Sequence, residues 1–406
     1  MANVDVYNYQ SRVGRLQKEN VVHHYSYDLN AKHALSLTMP IRLETYSYEA
    51  LHPFFQMNMP EGGLRLAIEK ATAKHYGSND LTVLALLGNN QIGSVRYALE
   101  DKALVDENEF DLSLEHLIKS DDVDLFSELL SRFALRSGVA GVQPKVLLDA
   151  KQINNNEVEP KATYPLDSYI VKSWGKEYPE LACNEFVCLT MAKESGLTVS
   201  PFYLSENSRL LITKRFDINK TGKPIGFEDF CVLQGRSTKQ KYDASLESCA
   251  NTIRQFISPE YRKTALYDFF KLTVINVILR NGDAHLKNYG VLYDNLAGYK
   301  LGELPKAAVV FSPVFDIVST TPYIKNDSMA LSLTGSKRWP KWKVLVKFGK
   351  QHCLLSNKEI TQVMEEIDRA KLSVLPIIKA LSIKHQDFSY IADEMLDLLD
   401  VNIKDT

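Results

Sequence analysis

The sequence predicts an α+β fold in two lobes, a β-rich N-terminal part followed by a mainly helical C-terminal part. Three observations predict it. Short strand-like runs bounded by turn residues recur as far as Lys172. The segment Leu266 to Leu279 is apolar nearly all the way round (Phe269, Phe270, Leu272, Val274, Ile275, Val277, Ile278, Leu279), which only a buried helix can be. Near the C-terminus, Ser356 and Glu359 form a capping box ahead of Ile360, Val363, Met364 and Ile367, four residues expected in the core.

The elements follow in chain order. The first hundred residues read as a small β-rich unit with a helix from about Gly62 to His75, and nothing in them looks catalytic. An acidic stretch from Asp101 to Asp124 marks a composition shift and reads as a solvated linker and helix face. Ser137-Gly138-Val139-Ala140-Gly141-Val142-Gln143-Pro144-Lys145 then leads into the strand Val146-Leu147-Leu148, and Asn154-Asn155-Asn156 reads as a hairpin loop. In the β-rich run Ser168 to Trp174, Lys172 shares a face with Ile170 and Trp174. Pro179 to Ser195 reads as a helix stopped by Gly196, with Leu181, Phe186, Leu189 and Ala192 toward its buried side and Glu185 within it. After the apolar helix come a loop, Arg280 to Asn288, the strands Tyr289 to Tyr293 and Ala307 to Phe311, and then Ser312-Pro313-Val314-Phe315-Asp316.

Four of these segments carry chemistry when they are read together. An Asp followed five residues later by an Asn, here Asp283 and Asn288, is the core of a kinase catalytic loop. The Asp accepts the proton of the attacking hydroxyl, and the Asn carboxamide oxygen holds magnesium against the nucleotide phosphates. Asp316, directly after an apolar strand, stands where a kinase keeps its second magnesium ligand. A strand lysine followed by a helix glutamate, here Lys172 and Glu185, is the ion pair that orients the α and β phosphates, and the small residues around Gly141 allow backbone amides to approach a phosphate. Each has a plainer reading alone: Asn-Gly-Asp is an ordinary turn, Asp316 could cap a helix or turn, Lys172 and Glu185 could be solvated charges, and the glycine segment lacks the Gly-Lys-Ser/Thr of a Walker loop. Their order, glycine loop, strand lysine, catalytic Asp with Asn, metal Asp, is the order a kinase fold requires.

With these residues in view, the chain resembles the HipA family of bacterial toxin serine/threonine kinases over nearly its whole length. The resemblance rests on Ala140-Gly141-Val142-Gln143-Pro144-Lys145 as phosphate loop, on Tyr169 to Lys172 with Asn184-Glu185, and on the hinge strand Leu210 to Asp217. It rests also on Glu228 to Cys231, on Asp283 to Asn288, and on Phe315-Asp316. Upstream, Val13-Gly14-Arg15-Leu16, Leu35 to Pro40, Phe54-Phe55, Met59 to Gly62, Gly88 and Gly93 resemble the coupling domain of full-length members.

The resemblance implies a bilobal protein-kinase-like fold: a coupling subdomain over 1–100, an N-lobe over 101–216 and a C-lobe over 217–406. It implies ATP held by the phosphate loop, Lys172, Lys214, Arg215, Phe216, His285, Leu286, Lys287, Asn288, Phe315 and Asp316, with adenine on the backbone of Lys214 and Phe216. It further implies Mg2+ on Asn288 and Asp316, Asp283 as base and Glu185 as partner of the ATP lysine. The family's autophosphorylated serine falls here on Gly138, so the chain is expected to be less able to switch itself off, with phosphate on the adjacent Ser137 as the competing possibility. The implied acceptor is a serine or threonine of a protein such as an aminoacyl-tRNA synthetase, with translation and growth arrested as the outcome. The implied partner is a small helix-turn-helix antitoxin that supplies the DNA contact. A small-molecule phosphotransferase and a pseudokinase regulatory subunit remain the other readings.

Composition agrees with this picture. Lys and Arg number 48 against 50 Asp and Glu, a formal charge of −2 that argues against strong DNA binding by the chain itself. Five cysteines without a C-x-x-C pair suit reduced, buried thiols, and adjacent His23 and His24 would point to opposite faces of a strand, which disfavours a zinc site. Met1-Ala2-Asn3-Val4-Asp5 lacks the basic start and apolar core of a secretion signal, and no run is apolar enough to cross a bilayer, so a cytoplasmic location without membrane partners is expected.

Overall fold

The structure, a computed structural model, describes residues 3–61, 65, 79–88, 91–100, 102, 104, 114–119, 145–151 and 166–405. In chain order the elements start with strands β1 (Val4–Asn8), β2 (Ser11–Glu19), β3 (Val22–Tyr27) and β4 (Tyr46–Tyr48), then helices α1 (Pro53–Met57) and α2 (Asp80–Leu86) and strand β5 (Val95–Leu99). Helix α3 (Leu114–Lys119), strands β6 (Lys145–Lys151) and β7 (Leu166–Lys172), helix α4 (Leu181–Glu194) and strands β8 (Phe202–Leu204), β9 (Leu211–Lys214) and β10 (Gly226–Asp229) follow. Next come helices α5 (Phe230–Leu233), α6 (Leu246–Phe256) and α7 (Pro259–Ile278) and strands β11 (Gly290–Tyr293) and β12 (Val309–Phe311). Helices α8 (Trp342–Gln351), α9 (Asn357–Lys384) and α10 (Ser389–Asp400) complete the order. The chain divides into two compact units: 1–173, 205–238 and 292–308 form the first, and 174–204, 239–291 and 309–406 the second.

The first unit opens with an antiparallel sheet in the order β4-β3-β2-β1-β5. Its alternation is clearest in β3, where His23 and Tyr25 are buried and their neighbours are not. Gly14 in β2 sits so close to β3 that a Cβ would lie 2.4 Å from both the Ser26 carbonyl and the Tyr25 hydroxyl, which explains the glycine in Val13-Gly14-Arg15-Leu16. Asp5 on β1 receives Arg15 Nε at 2.9 Å, an ion pair across the strand pair β1/β2. Elsewhere in this unit β6, β7 and β9 lie side by side and antiparallel. The helix expected from about Gly62 to His75 falls, apart from Arg65, outside the described residues, as do the glycine segment before Lys145, the Asn154-Asn155-Asn156 loop and most of the acidic stretch.

The second unit is built around α7, whose Phe269, Phe270, Val274 and Ile275 are completely buried, as the all-round apolar pattern predicts. Its buried polar residues are satisfied: Lys271 Nζ donates to the Ser195 carbonyl at 2.9 Å and pairs with Glu366 of α9 at 2.7 Å. The Ser356/Glu359 capping box at the start of α9 forms with both reciprocal bonds, and Ile360, Val363, Met364 and Ile367 are core. All five cysteines are buried, and none is in a disulfide.

Two expectations are corrected here. Helix α4 is buried on nearly every side rather than along one stripe, and Leu181 and Phe186, expected on the buried side, are half-buried. Packing against α9 on one side and a tie to Ser319 on another cover positions that a one-sided helix would leave in water, and Phe186 instead meets Phe202 edge to face with centroids 5.3 Å apart. Strand β7 ends at Lys172, so Trp174 lies beyond the strand instead of continuing the Lys172 face; the fully buried face of β7 carries Tyr169 and Val171.

Candidate catalytic site

The loop that follows α7 is held by side chains from within a few residues and from the segment after Asp316. Arg280 takes a left-handed conformation (φ +52°), which turns the chain out of the helix. Asn281 donates its backbone and side-chain N–H groups to Asn276 at 2.8 and 2.9 Å, and its Oδ1 accepts from Asp283 N at 3.1 Å, so the approach to Asp283 is built from two asparagines. Gly282 N donates to Thr320 Oγ1, which donates in turn to Asp327 Oδ2 at 2.5 Å. A Cβ on Gly282 would come within 1.9 Å of that Asp327 oxygen, so the glycine is required by close packing.

Within this frame Asp283 is half-exposed, and its Oδ1 accepts a hydrogen bond from Tyr242 Oη at 2.7 Å. His285 is buried, with its ring edge to face against Tyr242 (centroids 5.2 Å) and Nε2 3.9 Å from Asp283 Oδ1. Leu286 is fully buried and its N–H donates to the Lys241 carbonyl at 3.1 Å, while Lys287 is half-buried in the turn that leads to Asn288.

Asn288 and Asp316 are brought together. The Asn288 Nδ2 donates to the Asp316 carbonyl at 3.1 Å. A carbonyl can only accept, so this bond fixes which end of the amide faces Asp316 and leaves Oδ1 pointing elsewhere. That oxygen is buried and accepts no hydrogen bond. Asp316 has φ +60°, a left-handed conformation uncommon for a residue with a side chain and a form of strain found at functional positions. Phe315 is half-buried beside it.

Glu185, expected either as a pairing carboxylate or as a solvated charge, is buried in α4. Its neighbour Asn184 makes a reciprocal pair with Ser319, Nδ2 donating to Ser319 O and Oδ1 accepting from Ser319 N, both at 2.9 Å. Val314 N also donates to Thr198 O at 2.8 Å, so the Asp316 segment is stitched to both ends of the α4 region. The roles of Asn184, Tyr242 and Thr320 were not legible in the sequence. Their partners lie 135, 41 and 38 residues away, and such bonds leave no periodic signal.

In the first unit, the register of β6 and β7 sets Lys145 directly across from Lys172, so both positions lie on one face of the sheet. Lys172 itself is buried. Lys214 ends β9, and Arg215 and Phe216 follow it; Arg215 N donates to Ser168 O at 2.9 Å. The Arg215 guanidinium grips Asp217 through Nε (3.0 Å) and Nη2 (2.6 Å), and Nη2 also reaches the Gln91 carbonyl at 2.7 Å. Asp217 accepts from Gly93 N at 2.7 Å as well, so this buried pair anchors the hinge segment to the 91–93 turn. Phe216 packs on Phe227 with centroids 5.4 Å apart. Ser137, Ala140, Gly141, Val142, Gln143 and Pro144 lie outside the described residues.

Among the described residues no three His, Cys, Asp or Glu side chains group as a metal cluster, and no helix is long and apolar enough to cross a membrane. Residues 137–374 match the HipA-like C-terminal domain family and residues 4–98 the HipA N-terminal domain family. Two proteins of Sinorhizobium fredii that carry provisional names as kinases are similar to the chain. Y4mE is 25% identical over 385 residues, covering 89% of this chain and 87% of that protein, and Y4dM is 27% identical over 306 residues, covering 70% and 66%. The HipA structure of Shewanella oneidensis, solved with HipB and operator DNA, matches with a TM-score of 0.68 at 17% identity over 99% of both chains, a likeness that shows the fold.

Proposed function

The chain belongs to the HipA family, and from that premise we propose that it is an ATP- and magnesium-dependent serine/threonine kinase acting on a protein. The observation that carries this reading is the Asn288 amide, whose nitrogen is spent on the Asp316 carbonyl while its buried oxygen accepts no hydrogen bond. A buried carbonyl oxygen without a donor is costly unless something positive meets it, and magnesium takes few protein ligands, usually one or two beside phosphates and water. Asn288 and Asp316 fit such an ion and would hold it. When bound, ATP supplies the phosphoryl group and magnesium spreads the charge on its oxygens.

The rest falls to the chain's own residues. Asp283 accepts the proton of the incoming hydroxyl and holds that oxygen in line. Lys145 and Lys172 are paired in the register of β6 and β7, and we assign both positions to the nucleotide phosphates. We assign the backbone of Lys214 and Phe216 to adenine and the segment Ala140 to Lys145 to the phosphates. The relative from Shewanella was solved with HipB and operator DNA. On that likeness we assign this chain a small DNA-binding antitoxin as partner; the acceptor we assign from the family resemblance of the sequence alone is a protein such as an aminoacyl-tRNA synthetase.

Incubation of the protein with γ-labelled ATP and whole-cell lysate, beside Asp283→Asn, tests the reading. A labelled protein band that needs Asp283 and carries phosphoserine or phosphothreonine is expected. A labelled metabolite would make the protein a small-molecule phosphotransferase, and no transfer at all would make it a pseudokinase.

A further inference from the structure

Asp283 stands on a loop, follows a glycine and is half-exposed. A short carboxylate in that setting samples several rotamers unless a partner selects one. Its backbone is fixed by Asn281 and, through Gly282, by Thr320. A donor to its carboxylate is the Tyr242 hydroxyl at 2.7 Å, an ordinary length for an O–H···O hydrogen bond.

Tyr242 is itself held from several sides. Its ring packs edge to face on His285, with an interplanar angle of 75°. The carbonyl of its neighbour Lys241 accepts from Leu286 N at 3.1 Å, and its own carbonyl accepts from Lys337 Nζ at 3.0 Å. Lys241 and Tyr242 therefore form a strap fastened to the catalytic loop by a backbone bond, a ring contact and a phenol bond. A tyrosine suits this task because two torsions define its position and because its proton, unlike an ammonium, adds no full charge that would weaken a base.

From this arrangement we infer that Tyr242 is a positioning residue for transfer, fixing the Asp283 carboxylate in the rotamer that takes the acceptor's proton. The inference rests on the kinase reading and deepens it. Tyr242 touches the base and not the reacting atoms, so its loss alters the rate of the chemical step and leaves the binding of both substrates alone. The competing role is that of a stand-in: a phenol on the catalytic carboxylate could occupy the place of the acceptor hydroxyl and hold the enzyme back.

Tyr242→Phe removes the oxygen and keeps the ring on His285. The parent protein, this variant and Asp283→Asn are assayed with γ-labelled ATP and a degenerate serine/threonine peptide library, with release of phosphate to water followed in the same samples. For Tyr242→Phe, kcat should fall about tenfold, as expected for a misplaced catalytic group. Acceptor KM and ATP affinity should stay within about twofold, the split expected of a group that acts on the chemical step alone. A thermal melt at the parent's temperature shows that the variant is folded. A parental kcat overturns the inference, and so does a faster reaction with lower acceptor KM, which would make Tyr242 the stand-in. Phosphate found on Tyr242 by mass spectrometry would likewise overturn it. In each of these cases an inactive Asp283→Asn keeps the kinase reading intact, whereas a parent protein that transfers phosphate to neither peptide nor water sinks both.

Discussion

Asp283 in the second unit and Glu228 in the first are carboxylates in opposite settings, and the contrast separates the group we propose as base from one placed to hold. Asp283 has 49% of its side chain exposed, with Tyr242 as a donor on one oxygen. Glu228 has none exposed and takes three donors, Ser36 Oγ, Leu37 N and Tyr293 Oη, each at 2.7 Å. Burial pushes the Glu228 carboxyl up to about 7, against the opposing pull of those donors. A base must meet its substrate and therefore keeps access to solvent, whereas Glu228 gathers three distant stretches of the first unit: 36–37, β10 and the end of β11. That knot is formed by residues up to 192 positions apart.

The largest effect expected from breaking this contrast is on the reacting side. Asp283→Asn should lower transfer by about 10²- to 10⁴-fold, the range of a lost general base. Its melting temperature should barely move, because the side chain is half in water. Radiolabel transfer and a thermal melt measure the two sides, and a variant that lost stability but kept activity would reverse the assignment of roles.

Glu228 should show the opposite behaviour. Its carboxyl titrates higher in the folded chain than its ordinary 4.5, so the folded state binds the extra proton between about 4.5 and about 7. Stability is then full below that window, falls as pH rises through it and levels off above about 7. The fall should be about 3 kcal/mol at most, since each pH unit across the window is worth about 1.36 kcal/mol. Urea titrations of the parent and Glu228→Gln across the window should give a slope that the variant lacks. A variant with the parental slope would place the titration elsewhere.

Gly282→Ala sharpens the comparison inside the Asp283 loop. The added Cβ would meet Asp327 Oδ2 at 1.9 Å and the Ser328 carbonyl at 2.8 Å, so the loop or the Thr320/Asp327 pair has to shift. Overpacking of this kind costs about 1–3 kcal/mol. Transfer should fall more than stability does, since the displaced loop carries Asp283, and parallel activity and denaturation measurements distinguish the two.

The smallest effect is expected at Asp316. Asp316→Ala should weaken nucleotide binding about tenfold or more with magnesium present, by analogy with losses at groups that support a metal. Calorimetry without magnesium should show little change. Equal losses in both conditions would assign Asp316 a structural role in its strained turn.

Local chemistry was legible in the sequence. The all-round apolar pattern of α7 foretold burial, and Ser356 with Glu359 foretold the start of α9. The Asp283 to Asn288 spacing marked the loop whose Asn288 meets Asp316. These follow from forces acting over one or two helical turns, or from a spacing that chemistry itself imposes. Only the tertiary structure decided how exposed Asp283 is, that Tyr242 donates to it, that Asn184 secures Ser319, and that Glu228 and Asp217 are buried structural acids. Each of those bonds but the Arg215 grip on Asp217 joins positions far apart in the chain. Folding brings such partners together through the burial of apolar surface that many different sequences could supply, so the polar pair that results leaves no trace in the spacing of either segment.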